Sequence, residues 1–166
     1  MKNIVVFFRP DKKFGEFSNW YMRDFYVNGI KYCCMEQYFM AQKALIFDDD
    51  DNYDNIMESN NPKDIKYYGR QVQINDEIWN TVKYELIKTG LYCKFIQHND
   101  LYKLLMSTND KFIGECYKFD LVWGTGLTVY DMINNEYDLN DLPGENLLGK
   151  ALIELREEIK TRAIML

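Results

Sequence analysis

The segment MEQYFMAQKAL at residues 35–45 is the feature that most constrains the fold, because the helix it predicts has apolar residues on both sides. At 3.6 residues per turn, Tyr38 and Leu45 fall on one side, and Glu36 and Lys43 fall on the other. A helix that is apolar on all sides is normally buried. Burial would place a carboxylate and an ammonium group in the core, about 10 Å apart along the helix axis. Glu36 and Lys43 are therefore candidate functional residues.

The size and charge of the chain narrow the classes of protein to which it can belong. Its 166 residues suffice for one domain with a real core, and 47% of them are hydrophobic, which argues against disorder. The formal charge of −6 disfavours a broad electrostatic grip on DNA or RNA, but it permits a small basic pocket for one modified nucleotide. No segment reaches the roughly 20 apolar residues of a membrane span, and the first apolar run is too short for a signal peptide. We expect a single domain over residues 1–166, soluble and cytoplasmic.

Cysteine and histidine offer little metal or nucleophile chemistry. Cys33, Cys34, Cys93 and Cys116 contain no C-x-x-C pair, so we expect reduced, mostly buried thiols rather than zinc ligands or disulfides. The only histidine, His98, cannot supply a His-rich metal site, and its polar context favours a solvated or capping role. We expect neither a metal nor an organic cofactor.

Local patterns predict several helices around a small β-sheet. Residues 3–8 form a β-rich run, and Asn28-Gly29 separates two short apolar runs, which is typical of a hairpin. The predicted helices cover residues 35–45, 61–70, 75–98, 99–108 and a C-terminal segment from about Leu147. Gly69 is expected to end the second helix, and Gly90 is a candidate break in the third. The fold class is therefore α+β, a helix-dominated domain with a small sheet.

Two glycine-containing segments lie beside polar residues in the last third of the chain. WGTGL at residues 123–127 lacks the pattern of a dinucleotide fingerprint or a P-loop, so a tight turn is the simplest interpretation. Asp120, three residues before Trp123, places a carboxylate and an indole beside that turn. Gly144 and Asn146 come at the start of the last helix, where free N–H groups could bind an anion; an ordinary asparagine cap is the alternative.

Seven motifs occur in a fixed order along the chain. They are FGEFSNWY at 14–21, MEQYFMAQKA at 35–44, YYGR at 67–70, the tryptophan at 79, KF-x-Q at 94–97, D-x-x-WG-x-G at 120–126 and G-x-N-x-L-G at 144–149. In this order they resemble the NADAR superfamily, also called the YbiA-like family, over nearly the whole chain. The departures are local: Trp20 and Met35 stand where other members often have Phe and Ser, and the connection at residues 128–143 is longer.

The resemblance implies a YbiA-like fold and N-glycosidic chemistry on nucleotide-like substrates. Some members are similar to enzymes that cleave ribosylamino-pyrimidine intermediates of riboflavin synthesis, and others resemble enzymes that remove ADP-ribose from modified guanine. We expect an N-glycosidase, a glycoside hydrolase acting on N-glycosyl compounds, that removes ADP-ribose from modified guanine. The alternatives are the riboflavin-type activity and a non-catalytic ADP-ribose or NAD binding module. The expected partner is an ADP-ribose-containing or ribosylamino nucleotide. It includes ADP-ribosylated nucleic acid, bound without extensive contacts to the nucleic-acid backbone. We do not expect a membrane partner.

The expected reaction assigns catalytic roles to three residues. Cleavage of the C1–N bond leaves an oxocarbenium-like centre, so Glu36, with Asp120 as the second carboxylate, would stabilise positive charge and move protons. Lys43 would either bind a phosphate or carboxylate as a charge or, with its pKa lowered by burial, attack the anomeric carbon and form a Schiff base. The structural alternative is a buried contact between Glu36 and Lys43 through intervening groups, which their i, i+7 spacing disfavours.

The expected substrate-binding residues are Asn19, Arg70, Trp79, Trp123, Gly124 and Asn146. Arg70 suits a phosphate fork, and both tryptophans could stack on a base, although a core position is an equal alternative for Trp79. We also expect Glu36 and Lys43 to open into one cavity that Trp79 and Trp123 help to line.

Overall fold

The computed structural model describes residues 3–164, which fall into two compact units. We call residues 3–18 with 98–164 the terminal unit and residues 19–97 the central unit. The strands are β1 (Ile4–Phe7), β2 (Phe25–Val27), β3 (Ile30–Tyr32) and β4 (Phe112–Glu115). The helices are α1 (Met35–Ile46), α2 (Asp50–Glu58), α3 (Pro62–Gln71), α4 (Asp76–Gln97), α5 (Asn99–Met106), α6 (Val129–Asn134) and α7 (Leu147–Ile164). Helices dominate, which confirms the predicted fold class.

The strands form two small sheets. In the terminal unit β1 pairs with β4 in parallel, and in the central unit β2 pairs with β3 antiparallel. The β2–β3 turn consists of Asn28 and Gly29, whose φ angles of 51° and 81° lie in the left-handed region that a two-residue type I′ turn requires. The Asn-Gly signal therefore predicted this hairpin correctly.

Helix α1 is the core element of the central unit. It packs against α2, α3 and α4, and residues 35–39, Ala41 and Ala44 are buried, as the two-sided apolar pattern predicted. The buried Gln37 side chain fastens it: Oε1 accepts from Cys33 N at 2.7 Å, and Nε2 donates to Ile56 O at 3.1 Å. These bonds tie the first turn of α1 to Cys33, which precedes the helix, and to α2.

Two glycines of the central unit have roles that differ from the predicted ones. Gly69 lies inside α3 and does not end it, and α4 runs through Gly90 without a break. A Cβ at Gly69 would overlap the Met40 side chain, and one at Gly90 would lie 2.6 Å from Tyr38 Cδ1. Both glycines therefore permit close packing of α3 and α4 on α1, at a modest cost in helix propensity.

The terminal unit is built on the β1–β4 pair. Helix α7 packs on β4, α5 on α7, and α6 on β1. The guanidinium of Arg156, 2% exposed, donates from Nη1 to Thr108 Oγ1 and Lys111 O, both at 2.9 Å. Helix α6 lies in the segment predicted as a connection, and a capping box formed by Thr128 and Asp131 starts it.

The cysteine thiols are mostly buried. The four cysteines are free, and Cys33, Cys34 and Cys116 are buried, as predicted. His98 is half-exposed at the N-cap position of α5. Among the described residues, none of the helices combines the length and hydropathy that a bilayer crossing needs.

Candidate active site

Glu36 lies in the first turn of α1 and is only 6% exposed. Its backbone N–H donates to Asn19 O at 2.9 Å, so the segment before the hairpin meets the start of the helix here. A carboxylate in the first turn of a helix interacts favourably with the macrodipole. This placement puts the carboxyl group in a position with little water.

Lys43 follows two turns later on α1 and is half-buried. Its Nζ donates to Gly69 O at 2.7 Å and lies 5.9 Å from the centroid of the Trp79 ring. Burial, and next the positive charge of Arg70, lower the pKa of Lys43, whereas the negative charges of Asp76 and Glu36 oppose the shift. The amine is therefore easier to deprotonate than an ordinary lysine.

Trp79 and Arg70 lie around the Lys43 amine on two further helices. Trp79, in the first turn of α4, is half-buried, with its ring centroid 5.1 Å from that of Phe39 and 6.4 Å from that of Phe47. One part of Trp79 therefore packs against core rings and another part stays accessible, so its stacking on a base stays a prediction. Arg70, in the last turn of α3, is exposed and suited to an anionic group.

Asn19 contributes a polar atom that the fold leaves without a partner. Its Oδ1 is buried and has no hydrogen-bond partner among residues 3–164. Buried polar atoms are nearly always paired. An unpartnered acceptor on Asn19, whose backbone O accepts from Glu36 N, is therefore a candidate contact for a ligand donor. The motif around Asn19 indicated that this residue belongs to the site, but it did not indicate that Oδ1 has no hydrogen-bond partner among the described residues.

Sequence reasoning missed Asp76 and Gly69 O, which both act on Lys43. Asp76 begins α4, and its negative charge raises the pKa of Lys43. Gly69 O accepts the Lys43 hydrogen bond. Acidic residues at a helix start are common for capping reasons, so the sequence held no signal that separated Asp76 from its neighbours.

Asp120 of the terminal unit shapes a turn. Its Oδ1 accepts from Val122 N at 3.0 Å and Trp123 N at 2.8 Å. Gly124 follows in a crowded position, where a Cβ would lie 3.0 Å from Asp120 O and 3.2 Å from Glu115 O. Asp120 and Trp123 are both half-buried, and at least one carboxylate oxygen of Asp120 is engaged by the backbone.

Asn146 is engaged in the same way. It is 2% exposed; its Nδ2 donates to Ile113 O at 2.9 Å, and its Oδ1 accepts from Glu115 N at 3.2 Å. The first N–H groups of α7 also have partners, since Leu147 N and Leu148 N donate to Val122 O and Trp123 O. These bonds favour a structural role for Asn146 over the predicted anion site.

The predicted site residues divide between the two units. The central unit holds Asn19, Glu36, Lys43, Arg70 and Trp79, and the terminal unit holds Asp120, Trp123, Gly124 and Asn146. Among the described residues, a cavity of about 410 Å³ is lined by residues 47–51 and Gln73, and another of about 330 Å³ lies in the terminal unit. Neither is lined by Glu36 or Lys43, so their common cavity stays a prediction.

Comparison with known proteins identifies the class to which this fold and these residues belong. The family model of the NADAR domain matches residues 6–160. The solved NMR structure of the Escherichia coli protein YbiA is similar, with a TM-score of 0.79, 28% identity, and coverage of 99% of this chain and 89% of that one.

The chain belongs to the NADAR family. It is 42% identical over 148 residues to the N-glycosidase R617 of Acanthamoeba polyphaga mimivirus, covering 86% of each chain. It is 30% identical over 158 residues to the N-glycosidase YbiA of E. coli strain K12, covering 94% of this chain and 88% of that one. The predicted family is confirmed, and so is the prediction of an enzyme that hydrolyses N-glycosidic bonds.

Proposed function

We propose that the protein removes ADP-ribose from modified guanine by hydrolysing the N-glycosidic bond between them. The observation that carries the proposal is that one buried helix holds both a buried carboxyl group, Glu36, and a lysine of lowered pKa, Lys43. Relatives named N-glycosidases support the reaction type. The guanine adduct is the substrate expected from the resemblance of the motifs, and it is part of the proposal.

Glu36 supplies the charge that this reaction needs. As the C1–N bond breaks, positive charge develops on the ribose, and a carboxylate in a poorly hydrated position stabilises it strongly. The same carboxyl group can deliver a proton to the departing base or take one from the attacking water. Asp120 is proposed as the second carboxylate.

Lys43 supports the nucleophilic route. Its lowered pKa increases the share of neutral amine, which can attack C1 of the ribose while the base leaves with the bonding electron pair and a proton. The nitrogen then loses a proton and its electron pair displaces O4′ from C1, so that O4′ takes up a proton and a Schiff base joins Lys43 to the opened ribose of ADP-ribose. Water hydrolyses the Schiff base to free ADP-ribose and the amine. In the alternative role Lys43 stays protonated and binds an anionic group as a point charge.

The other predicted site residues of the central unit are proposed to bind the substrate. Arg70 is exposed and would contact a phosphate, and Trp79 would stack on a ring of the ligand. The orphan Oδ1 of Asn19 would accept a hydrogen bond from a ribose hydroxyl or a base N–H. This set offers one nucleotide unit a ring surface, a cation and a buried acceptor.

The test compares two substrates and one product analogue. The protein is incubated with ADP-ribosylated guanosine and, separately, with a ribosylamino-pyrimidine phosphate, and mass spectrometry follows the release of free ADP-ribose or ribose phosphate. We expect release from the guanosine adduct only. Cleavage of the pyrimidine alone would establish the riboflavin-type activity instead. Binding of ADP-ribose with cleavage of neither substrate would establish a binding module and refute the proposal.

A further inference from the structure

The terminal unit carries a row of aromatic rings at one end of the β1–β4 pair. Because β1 and β4 are parallel, with Phe7 opposite Glu115, the residues that follow both strands emerge at the same edge. A hydrogen bond from Cys116 N to Phe7 O, 2.7 Å long, joins the two segments where they leave their strands. Phe8 and Tyr117 therefore lie side by side.

The rings form a continuous array. Phe8 and Tyr117 are stacked, with centroids 5.5 Å apart and planes 28° apart, and Tyr117 meets Phe119 edge-on at 5.6 Å. Tyr117 is 41% exposed and Phe119 is 72% exposed. Exposing so much aromatic surface is unfavourable in water, and such surface commonly marks a binding site.

Cationic groups lie at both ends of the array. The Arg9 guanidinium lies 5.1 Å from the centroid of Phe8, and the Lys118 amine lies 4.7 Å from that of Phe119. Both side chains are exposed. Residues 9–13 carry three cationic side chains and one carboxylate, in a chain whose formal charge is −6. Lys12 is paired with Asp11, with Nζ 3.0 Å from Oδ2, so Arg9 and Lys118 are the cations that lie against the rings of the array.

We propose that this stacking surface, formed by Phe8, Arg9, Tyr117, Lys118 and Phe119, binds the bases of a single-stranded nucleic acid. Aromatic side chains interleaved with cations are the usual platform for single strands, because every base offers a π-face and every nucleotide a phosphate. Asp120 N donates to Tyr117 O at 3.1 Å, so the surface directly precedes a proposed catalytic carboxylate. The inference that the bound strand carries the modified guanine rests on the proposed function.

The charge pattern favours a nucleic acid over an acidic protein or an anionic membrane. The rings lie between two cations, which suits a flat base with phosphates on either side. With Arg9 and Lys118 as the two phosphate contacts, the logarithm of affinity should fall with the logarithm of salt concentration at a slope of about −1.4. This shallow dependence agrees with the expectation of few backbone contacts.

The experiment measures binding of a fluorescein-labelled 12-mer of deoxythymidine to the full chain by fluorescence anisotropy, with no catalytic step involved. We expect Phe119→Ala to weaken binding at least tenfold, on the order of the loss of one stacked base. Because Phe119 is mostly exposed, the variant should fold normally. Tyr130→Ala is the matched control, since Tyr130 is also an aromatic residue of the terminal unit that is 72% exposed, and it should leave the Kd within about twofold of wild type.

A second pair of variants, one test and one control, examines the charged residues. Lys118→Gln should weaken binding and make the salt slope shallower by about 0.7, whereas Lys150→Gln, at another exposed lysine of the unit, should change neither. Equal binding by wild type and Phe119→Ala would overturn the proposal. Binding to vesicles containing phosphatidylserine without binding to the 12-mer would also overturn it.

The results separate this inference from the proposed function. A wild-type protein that binds the 12-mer through Phe119 but releases no ADP-ribose refutes only the proposed activity. A protein that cleaves ADP-ribosylated guanosine, but whose binding to the 12-mer is unaffected by Phe119→Ala, refutes only the stacking surface.

Discussion

The predicted site residues of the central unit and those of the terminal unit differ in how far backbone hydrogen bonds use their polar atoms. In the central unit, Lys43 holds a half-buried amine with a lowered pKa, and Asn19 Oδ1 lacks a hydrogen-bond partner among residues 3–164. In the terminal unit, Asp120 Oδ1 accepts from two backbone N–H groups, and both polar atoms of the Asn146 amide bond to backbone next to or within β4.

The difference shows how similar motif residues can serve different purposes. A side chain whose polar atoms are matched to backbone groups stabilises a turn or a strand edge, and it has less capacity left for a substrate. A side chain held in a poorly hydrated place with unmatched atoms or a shifted pKa is suited to chemistry. We therefore expect substitutions of the central-unit residues to affect turnover most, and substitutions that remove the backbone hydrogen bonds of the terminal-unit residues to affect stability more.

The largest expected effect is that of Glu36→Gln. Gln has nearly the same shape as Glu, so packing is preserved while the charge is lost, and turnover of ADP-ribosylated guanosine should fall at least ~100-fold. The measurement is a steady-state rate beside a thermal melt. Glu58→Gln, at an exposed carboxylate that ends α2, is the matched control and should keep normal turnover. Near-normal turnover of Glu36→Gln with an unchanged Tm would contradict the catalytic role.

The second effect concerns Lys43 and pH. Because its folded-state pKa is below the ordinary lysine value of about 10.4, neutral amine accumulates at lower pH than usual, and kcat should rise with pH up to that lowered pKa. Lys43→Ala should lower turnover at least ~30-fold and remove the rise.

Borohydride added during turnover should trap a sugar adduct on Lys43, visible as a mass increase of the protein. Lys43→Ala should abolish the adduct, and Lys63→Ala, at an exposed lysine of α3, should not. If no adduct forms and Lys43→Arg remains active, Lys43 is a binding charge and the Schiff-base route is excluded.

Asp120→Asn should have a smaller effect on turnover. The Asn side chain keeps an Oδ1 that can accept from Val122 N and Trp123 N, so the turn should persist while the negative charge is lost. We expect kcat to fall roughly tenfold with little change in Tm, because the proposed role of Asp120 as the second carboxylate depends on its negative charge. Full activity would show that Asp120 serves the turn alone.

Asn146→Ala should affect activity least and stability most. It leaves Ile113 O and Glu115 N without their side-chain partners, so the free energy of unfolding should fall by about 2 kcal/mol, measured by urea denaturation. The kcat of the folded variant should stay within about threefold of wild type, since neither bond reaches a substrate. Asn60→Ala, at an exposed asparagine, is the control. A normal unfolding curve with a large rise in KM would instead support the substrate contact.

Several elements could be predicted because their determinants are local. The Asn28-Gly29 turn follows from residues that accept positive φ, and the start of α3 follows from Asn61, which accepts from Lys63 N, with Pro62 in the first turn. The burial of α1 follows from apolar residues at helical spacing on both of its sides. The motif order likewise indicated the family from the chain alone.

The sequence by itself thus predicted many of the elements, the family and the candidate residues, although it did not predict α2 or α6. Only the tertiary structure decided which residues met: that Gly69 and Gly90 make room for α1 side chains, that Asp76 acts on Lys43, and that Asn146 bonds to residues about 30 positions earlier. The physical reason is the range of the interactions. Backbone preferences and amphipathic spacing act between near neighbours in sequence, whereas close packing, hydrogen-bond partners and electric fields depend on atoms that only folding brings together.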